Sequence, residues 1–401
     1  MTSEPAHGEQ GAVRARPNAW HVLGIAVAAQ VGVSVMDQGI PTLTGFIKAD
    51  LGLSAAAAGL TVASFAFGRI FGAYAAGVAA DRVGERRVML LGALLAAALV
   101  ALAAATPFPF FTLLFALGGA AGASSTPAGG RLVLLAFPRN RHGLALGIRQ
   151  TGIPIGGLIA AATLPWFAGL TTWRWSLVLA AGMAVLFVVP LSRLRDDRTS
   201  DELPVDRPVA ARLRHDRNLV LLTLWSCLVV TGQYALLAFL ALDLHQRIGL
   251  SLERGSLLVA LANASGIAGR VAWGGVSDRA LAHGRKPLLL VLTAGCLVAA
   301  LALFAAPRSA STAEMAALAI LAGLTLIGYQ GLWITMVAEV AGPVRVGAAT
   351  GFAVTFVGLA IALSPPLYGL VADIAGTYRA IWAVLSVVLA VAFIPALLIR
   401  E

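Results

Sequence analysis

Long apolar runs separated by short polar connections make up most of this chain of 401 residues. A helix needs about 20 largely apolar residues to cross the hydrocarbon core of a bilayer, because its backbone groups must be hydrogen-bonded within the segment. The pattern therefore predicts an all-α membrane protein. Its twelve predicted spans are 19–46, 55–79, 88–106, 110–136, 143–169, 174–193, 218–243, 255–276, 287–306, 313–338, 347–371 and 379–399.

One polar connection is much longer than the others, and it divides the predicted helices into two sets of six. Residues 194–217 are rich in Arg, Asp and Pro, a composition typical of a linker exposed to water. We therefore predict a polar cytoplasmic tail over residues 1–18 and a six-helix bundle over 19–193. A cytoplasmic linker over 194–217 and a second six-helix bundle over 218–401 complete the predicted organisation.

The composition agrees with a protein that crosses a membrane many times, since 59% of the residues are hydrophobic and 12% are charged. The net charge of +10 does not indicate a nucleic-acid partner, because Arg and Lys are not clustered with aromatic residues. With the N-terminus inside, the predicted cytoplasmic segments hold 19 of the 29 basic residues and the outer connections hold 6. The positive-inside rule then places both termini in the cytoplasm, and we expect a multi-pass protein of the cytoplasmic (inner) membrane. The other four basic residues lie within predicted helices: Arg69, Arg131, Arg149 and Arg270.

The sequence contains no pattern typical of a nucleotide-driven pump or of a membrane enzyme. It has no G-x-x-x-x-G-K-[S/T] phosphate loop, no metal-ligand spacing and no set of residues that would activate a nucleophile. Cys227 and Cys296 lie within apolar runs, and we expect both to be small core residues. Neither enzyme activity nor a cofactor is expected, and secondary active transport is the class of function that remains.

A charged turn occurs twice, once after the second predicted helix of each half. The first copy, GVAADRVGERR, contains Gly77, Asp81, Arg82, Gly84, Arg86 and Arg87. The second copy, GGVSDRALAHGRK, contains Gly274, Asp278, Arg279, Gly284, Arg285 and Lys286. Asp278 follows Asp81 by 197 positions, about half the chain, which indicates an internal duplication.

The first turn resembles the G-x-x-x-D-R-x-G-R-R motif of the major facilitator superfamily, and the second resembles its looser copy. The twelve helices, the central linker and the half-chain repeat extend this resemblance over essentially the whole sequence. It implies two pseudo-symmetric six-helix bundles that alternate access to a central site. We expect a monomer surrounded by membrane lipids.

The resemblance also implies that each charged turn latches one bundle to the other and opens as the bundles rock. The alternative is that the arginines only anchor the helices at anionic headgroups. Arg131, at the inner end of the fourth helix, is a candidate partner for Asp81. Glu339, at the inner end of the tenth helix, is a candidate partner for Arg279.

Arg270 is predicted to lie deep in the eighth helix, because it precedes Asp278 by eight residues, or about 12 Å along a helix. Its stretch GRVAWGGVSD resembles the eighth-helix segment of oxalate and monocarboxylate transporters, in which an arginine binds the substrate carboxylate. A guanidinium suits this task because it donates two parallel hydrogen bonds to a carboxylate. The alternative is an arginine held by helix carbonyls or by a buried acid. The eleventh helix lacks the basic residue often found in this branch, which argues against oxalate itself.

Asp37 is the only carboxylate well inside the first predicted helix. It resembles the first-helix aspartate of sugar porters and of some organic-anion symporters, which takes up the coupling proton. Arg69 lies at a similar predicted depth in the second helix, so alternation between an apolar environment and this arginine would load and release a proton. A permanent, purely structural ion pair between Asp37 and Arg69 is the alternative.

Other polar residues within predicted helices are candidates for the substrate site. The fifth helix, GLALGIRQTGIPIGGLIA, resembles that of sugar porters, in which a glutamine at the position of Gln150 lines the cavity. Arg149 is a second basic ligand or a headgroup anchor. Four further residues, Gln233, Tyr234, Tyr329 and Gln330, either contribute to the site or join helices.

These features together predict a proton-coupled importer of a small organic anion, most simply a carboxylate. The alternative is a proton-driven exporter of drugs or other amphipathic compounds. The fifth helix resembles the glycine-rich segment of such exporters, but its spacing is one residue shorter, and the fourth helix LLFALGGAAG lacks their usual arginine. A non-transporting sensor or a membrane enzyme built on the same scaffold is a third alternative.

Overall fold

The computed structural model describes residues 18–138, 142–194, 216–279 and 285–400. Most of the predicted tail and most of the predicted linker lie outside these ranges. Within them, all the regular secondary structure is helical. The α-helices are α1 Ala19–Leu51, α2 Ala55–Val83, α3 Glu85–Ala103, α4 Phe108–Gly122, α5 Ser125–Ala136, α6 His142–Gln150, α7 Gly152–Leu170, α8 Trp173–Val188, α9 Arg217–Ile248, α10 Leu252–Arg279, α11 Lys286–Ala305, α12 Thr312–Ala322, α13 Gln330–Ala375, α14 Arg379–Val391 and α15 Phe393–Leu398.

The predicted fold class is confirmed, because these helices form membrane spans in the predicted order. Eleven segments of the described chain are long and apolar enough to cross a bilayer. The remaining span, the fourth in chain order, combines the shorter apolar helix α4 with α5, which follows it after two residues. Large apolar side chains such as Leu186 and Ile374 are exposed on the surface, as expected for contact with lipid.

Helix ends coincide with residues that satisfy free backbone groups. The Asn18 side chain accepts a hydrogen bond from the N–H of Trp20, and Ser311 forms a capping box with Glu314. At the other end of α1, Gly52 has a left-handed conformation with φ of 61°, which costs other residues free energy.

Several predicted spans are interrupted, the fourth and the fifth among them. The fourth is divided at Ala123 and Ser124, four and three residues before Pro127, and the fifth is divided at Thr151, three residues before Pro154. A proline has no N–H to donate to the carbonyl four residues earlier, so each interruption lies where the helical ladder loses a bond.

The connection predicted between the tenth and eleventh spans is not a loop. Residues 339–346 are helical, and α13 continues from Gln330 to Ala375. A helical connection satisfies its own backbone hydrogen bonds, which a short polar turn would not.

The two faces of the molecule can be named from the chain path. We call the face at which α1 begins the proximal face, and the face at which α1 ends and α2 begins the distal face.

The distal face carries a related polar network in each half. In the first half, the Asp50 carboxylate accepts a hydrogen bond of 2.8 Å from Trp173 and lies 3.7 Å from Arg174. In the second half, Asp243 accepts bonds of 2.9 Å from Trp382 and 2.6 Å from Arg247.

These networks join corresponding helices of each half, which supports the predicted duplication. Arg174 also donates to the carbonyl of Ala104 at the end of α3, and Arg379 donates to that of Phe304 at the end of α11. The networks differ in their exposure to water, since Asp243 is buried and Asp50 is half exposed.

Candidate functional site

Asp37 and Arg69 form an ion pair inside the helix bundle. An Arg69 Nη1 atom lies 2.5 Å from an oxygen of Asp37. Asp37 is buried on α1, whereas Arg69 on α2 keeps about a third of its side chain exposed. The predicted proximity is therefore present, and Arg69 is the more accessible member of the pair.

Tyr234 connects this ion pair to the other half of the molecule. Its hydroxyl accepts a hydrogen bond of 3.4 Å from the amide of Gln38, the residue after Asp37. The buried Tyr234 ring on α9 lies within electrostatic range of Asp37, Arg69 and Arg270. Groups from both bundles therefore meet at one place inside the molecule.

Arg270 is buried on α10 and is held by two backbone carbonyls. Its Nε donates to Ile327 at 3.3 Å, and its Nη1 donates to Gln150 at 3.1 Å. Its Nη2 is buried and has no hydrogen-bond partner. The ion pairs of the described residues do not include Arg270. Two of the three nitrogens thus bond to carbonyls, and the third has an unused donor.

Of the remaining candidate residues of the second half, Tyr329 lies near Arg270, whereas the two glutamines bond to each other. Tyr329 is fully buried on the turn before α13 and lies within electrostatic range of Arg270. Its hydroxyl accepts a long hydrogen bond of 3.5 Å from Ser226, and its ring contacts Trp225 edge to face. Gln330 donates to Gln233 at 3.3 Å. The two glutamines thus join helices to each other and are not in contact with Arg270.

The site carries a net positive charge. Arg69 and Arg270 contribute two positive charges, and Asp37 contributes one negative charge when ionised. A buried charge without a counter-ion is costly, so this arrangement favours a negatively charged occupant.

Arg149 lies apart from this cluster, inside the first bundle. It is only 2% exposed and donates to the side-chain oxygen of Gln30 at 2.9 Å and to the carbonyl of Ser125. Gly129 makes room for it, since a Cβ there would lie 2.7 Å from a guanidinium nitrogen. Its burial argues against the role of headgroup anchor. The adjacent Gln150 is half-buried and meets Arg270 through its carbonyl, not through its amide.

The first charged turn joins helices at the proximal face. Gly84 connects α2 to α3 with φ of 95°, a conformation that L-residues rarely adopt. Arg86 donates to the carbonyl of Ser192 at 3.0 Å, so it ties this turn to the end of the sixth span. Arg82 and Arg87 are exposed. Gly77 lies within α2, and the side chains of Asp81 and Arg131 lie outside the described part, so their predicted pairing stays a prediction.

The second charged turn contributes an ion pair that was not predicted. Glu339 lies 2.7 Å from Arg285, which is buried. The predicted pairing of Glu339 with Arg279 stays a prediction, because the Arg279 side chain lies outside the described residues. Arg285 precedes α11 directly, which brings it to the inner end of the tenth span. The side chains of Asp278 and Arg279 and all of Gly284 lie outside the described residues.

Several buried polar residues near the site were not predicted. Gln30 and Gln38 lie on either side of Asp37 in α1, and a glutamine within an apolar run is itself a sequence signal of a polar contact. Asn263 on α10 is 1% exposed, and its side-chain oxygen would lie 2.7 Å from a Cβ at Gly157 of α7. Asp373 was missed because it lies at a helix end, where acids are common.

Comparisons with known sequences agree on one family. The profile described as Major Facilitator Superfamily matches residues 26–363 and 280–401. An uncharacterised transporter of this type from Mycobacterium tuberculosis is 30% identical over 92% of this chain and 82% of its own length. The hexuronate transporter of Bacillus subtilis is 26% identical over 83% of each chain. Monocarboxylate transporter 13 of Rattus norvegicus is 27% identical over 78% of this chain and 73% of its own. Matches to sugar transporters cover only 35% to 36% of this chain.

Solved structures share the fold at low sequence identity. An inward-facing, unoccupied bacterial homologue of the human lysosomal transporter Spinster superposes with a TM-score of 0.78 and 16% identity. The match covers 96% of this chain and 97% of the other. At this identity the likeness concerns the fold alone.

Proposed function

Since the chain belongs to the Major Facilitator Superfamily of membrane transporters, we propose that it is a proton-coupled secondary transporter of a small organic anion. The substrate class is a carboxylate, bound by Arg270. The observation that carries this proposal is the Nη2 of Arg270, a buried donor of a charged group with no partner. Leaving such a group unsatisfied costs free energy that a carboxylate would recover.

The charge of the site supports an anion over a neutral sugar or a cation. With Asp37 ionised, its two arginines and one carboxylate leave one positive charge for the substrate to neutralise. A monoanion matches this balance. Tyr234 and Tyr329 would supply apolar ring surface and a hydroxyl beside the carboxylate.

The relatives that align over most of the chain support the same class. They include a hexuronate transporter and a monocarboxylate transporter, both named for acids. The sugar transporters align over about a third of the chain, so they support the fold of one part more than the substrate.

Proton coupling is proposed for Asp37. Asp37 is buried, but its partner Arg69 keeps about a third of its side chain exposed, and we propose that the proton reaches the carboxylate along this side. Protonation would free Arg69 and add a second positive charge to the site, which favours anion binding when the proton is present. Binding of proton and anion would thus be cooperative, as symport requires.

We further propose that the proximal face is cytoplasmic and that the protein lies in the inner membrane with both termini inside. The excess of Arg and Lys in the proximal connections supports this orientation. Tags placed at residues 1 and 401 should therefore be protected from a protease added outside intact cells.

The test is uptake of a labelled monocarboxylate, such as pyruvate, into proteoliposomes with an imposed inward proton gradient. Wild type should accumulate it, Arg270→Gln should abolish uptake, and Arg270→Lys should retain the charge but raise KM at least about tenfold. Arg254→Gln, which changes an exposed arginine of the same helix, is the matched control. Accumulation unchanged in Arg270→Gln would overturn the anion role, and proton-driven efflux of dyes without acid uptake would identify an exporter.

A further inference from the structure

Two irregular helices present the carbonyls that hold Arg270. In a regular helix, the carbonyl of Gln150 would accept a hydrogen bond from the N–H of residue 154. Residue 154 is a proline, so this bond does not exist, and the carbonyl is free to accept from Arg270 at 3.1 Å. The helical break at Thr151 lies directly beside it.

The second carbonyl is freed in a comparable way. A π-helical segment over Gly323–Ile327 precedes α13. The N–H of Gly331, which a regular helix would direct to Ile327, donates instead to Gly328 at 3.4 Å. The Ile327 carbonyl accepts from Arg270 Nε at 3.3 Å. Such π-segments often occur at functional sites.

The two carbonyls fix the orientation of the guanidinium. They occupy Nε from one bundle and Nη1 from the other, so the plane of the group is defined and Nη2 is the nitrogen left to bind a ligand. An arginine side chain has several rotatable bonds, and fixing it before the ligand arrives removes part of the entropic cost of binding.

We propose that Pro154 is a positioning residue for anion recognition. It acts by withholding an N–H from the Gln150 carbonyl, which then orients Arg270 toward the anion. This proposal rests on the proposed function, because it assigns Pro154 a role through the substrate-binding arginine.

The effect of the missing N–H can be separated from that of the proline ring by two variants at position 154 and a control variant at position 165. Pro154→Ala supplies an N–H that will bond to the Gln150 carbonyl and compete with Arg270. Replacing Pro154 with lactic acid, the α-hydroxy analogue of alanine, gives the same side chain and an ester linkage that has no N–H. Pro165→Ala is the matched control, because Pro165 lies within the same helix α7 and has no role beside Arg270.

Uptake of labelled pyruvate by the full chain in proteoliposomes is the measurement. We expect KM to rise about tenfold in Pro154→Ala, as for loss of one hydrogen bond to a charged group, and to return near wild type in the lactic acid variant. Pro165→Ala should match wild type. In an Arg270→Lys background, Pro154→Ala should add little to the KM already raised, because both changes act on the same interaction.

The outcomes separate this proposal from the one it rests on. An ester variant as impaired as Pro154→Ala would show that the ring or the kink matters and would overturn the role of the missing N–H. Wild-type KM in Pro154→Ala would overturn it as well. Unchanged uptake in Arg270→Gln would instead defeat the proposed function. Comparable thermal unfolding of the Pro154 variants, measured on the purified proteins, excludes misfolding as the cause of a raised KM.

Discussion

The carboxylate of Asp373, near the end of α13, caps the helix that begins at Ala55 in the other bundle. Its two oxygens accept hydrogen bonds of 2.7 Å each from the N–H groups of Ala55 and Ala56. The backbones also touch here, because a Cβ at Gly59 would lie 2.4 Å from the carbonyl oxygen of Pro365. The two bundles are therefore closed against each other at the distal face.

We predict that removing this carboxylate opens the distal face. Asp373→Ala leaves two helix N–H groups without their charged acceptor, so the distal-open state should gain at least about tenfold in population, as for loss of charge-assisted hydrogen bonds. Spin labels at Thr171 and Ser251, both exposed at this face, report the opening as a longer distance in electron-spin measurements. Cys227 and Cys296 would first be replaced with serine.

A matched control exists at the same helix end. Ser54 accepts a hydrogen bond of 3.1 Å from the N–H of Ala57 but does not reach the other bundle. Ser54→Ala should therefore weaken the cap without changing the distance distribution. Identical distributions in Asp373→Ala and Ser54→Ala would show that Asp373 is only a local cap.

For Asp37, we predict that the asparagine variant loses proton coupling but keeps exchange. Asp37→Asn retains an oxygen for Arg69 and cannot release a proton. Accumulation of labelled acid driven by a pH gradient should disappear, whereas exchange of internal for external acid should persist. Asp50→Asn, an exposed acid on the same helix α1, serves as control. Full gradient-driven accumulation in Asp37→Asn would assign the proton to another group.

Removing the acid from the buried Asp243 network of the second half should lower the free energy of unfolding much more than removing the acid from the Asp50 network of the first half. Asp243→Ala leaves Arg247 buried without its acid, at a cost of about 3–5 kcal/mol in the free energy of unfolding. Asp50→Ala removes a half-exposed acid and should cost about 0–1 kcal/mol. Denaturant titration in detergent micelles measures both, and equal losses would refute the importance of burial.

Close packing of α2 on α4 predicts a position-specific effect of a single methyl group. A Cβ at Gly68 would lie 1.7 Å from the carbonyl oxygen of Ala116, and backbone cannot move away cheaply. Gly68→Ala should lower the free energy of unfolding by about 1–3 kcal/mol. Gly182→Ala, with nothing within 4 Å of its Cβ, should raise it by about 0.4–1 kcal/mol. Similar thermal midpoints for the two variants would contradict this packing.

Hydrophobic patterning predicted the spans well because crossing a membrane requires long apolar helices, whatever their tertiary contacts. It also identified Asp37, Arg69 and Arg270, since a charge within an apolar run is conspicuous. It did not reveal that Pro154 frees a carbonyl for Arg270, because that depends on which helix packs against α6 and α7.

Partners across the bundles were the least predictable part. The pair of Glu339 with Arg285 was not predicted, because it depends on where α11 starts relative to the tenth span. The sequence around Asp373 likewise does not indicate whether its carboxylate faces water or the first turn of another helix. Only the three-dimensional arrangement distinguishes these cases.

The unequal exposure of Asp50 and Asp243 has a mechanical consequence. The Asp50 network, which joins α1, α3 and α8 in the first half, is partly exposed. The corresponding Asp243 network of the second half is buried. When the molecule is pulled apart from its ends, the N-terminal half should yield at lower force. The half that carries Arg270 should then unfold last.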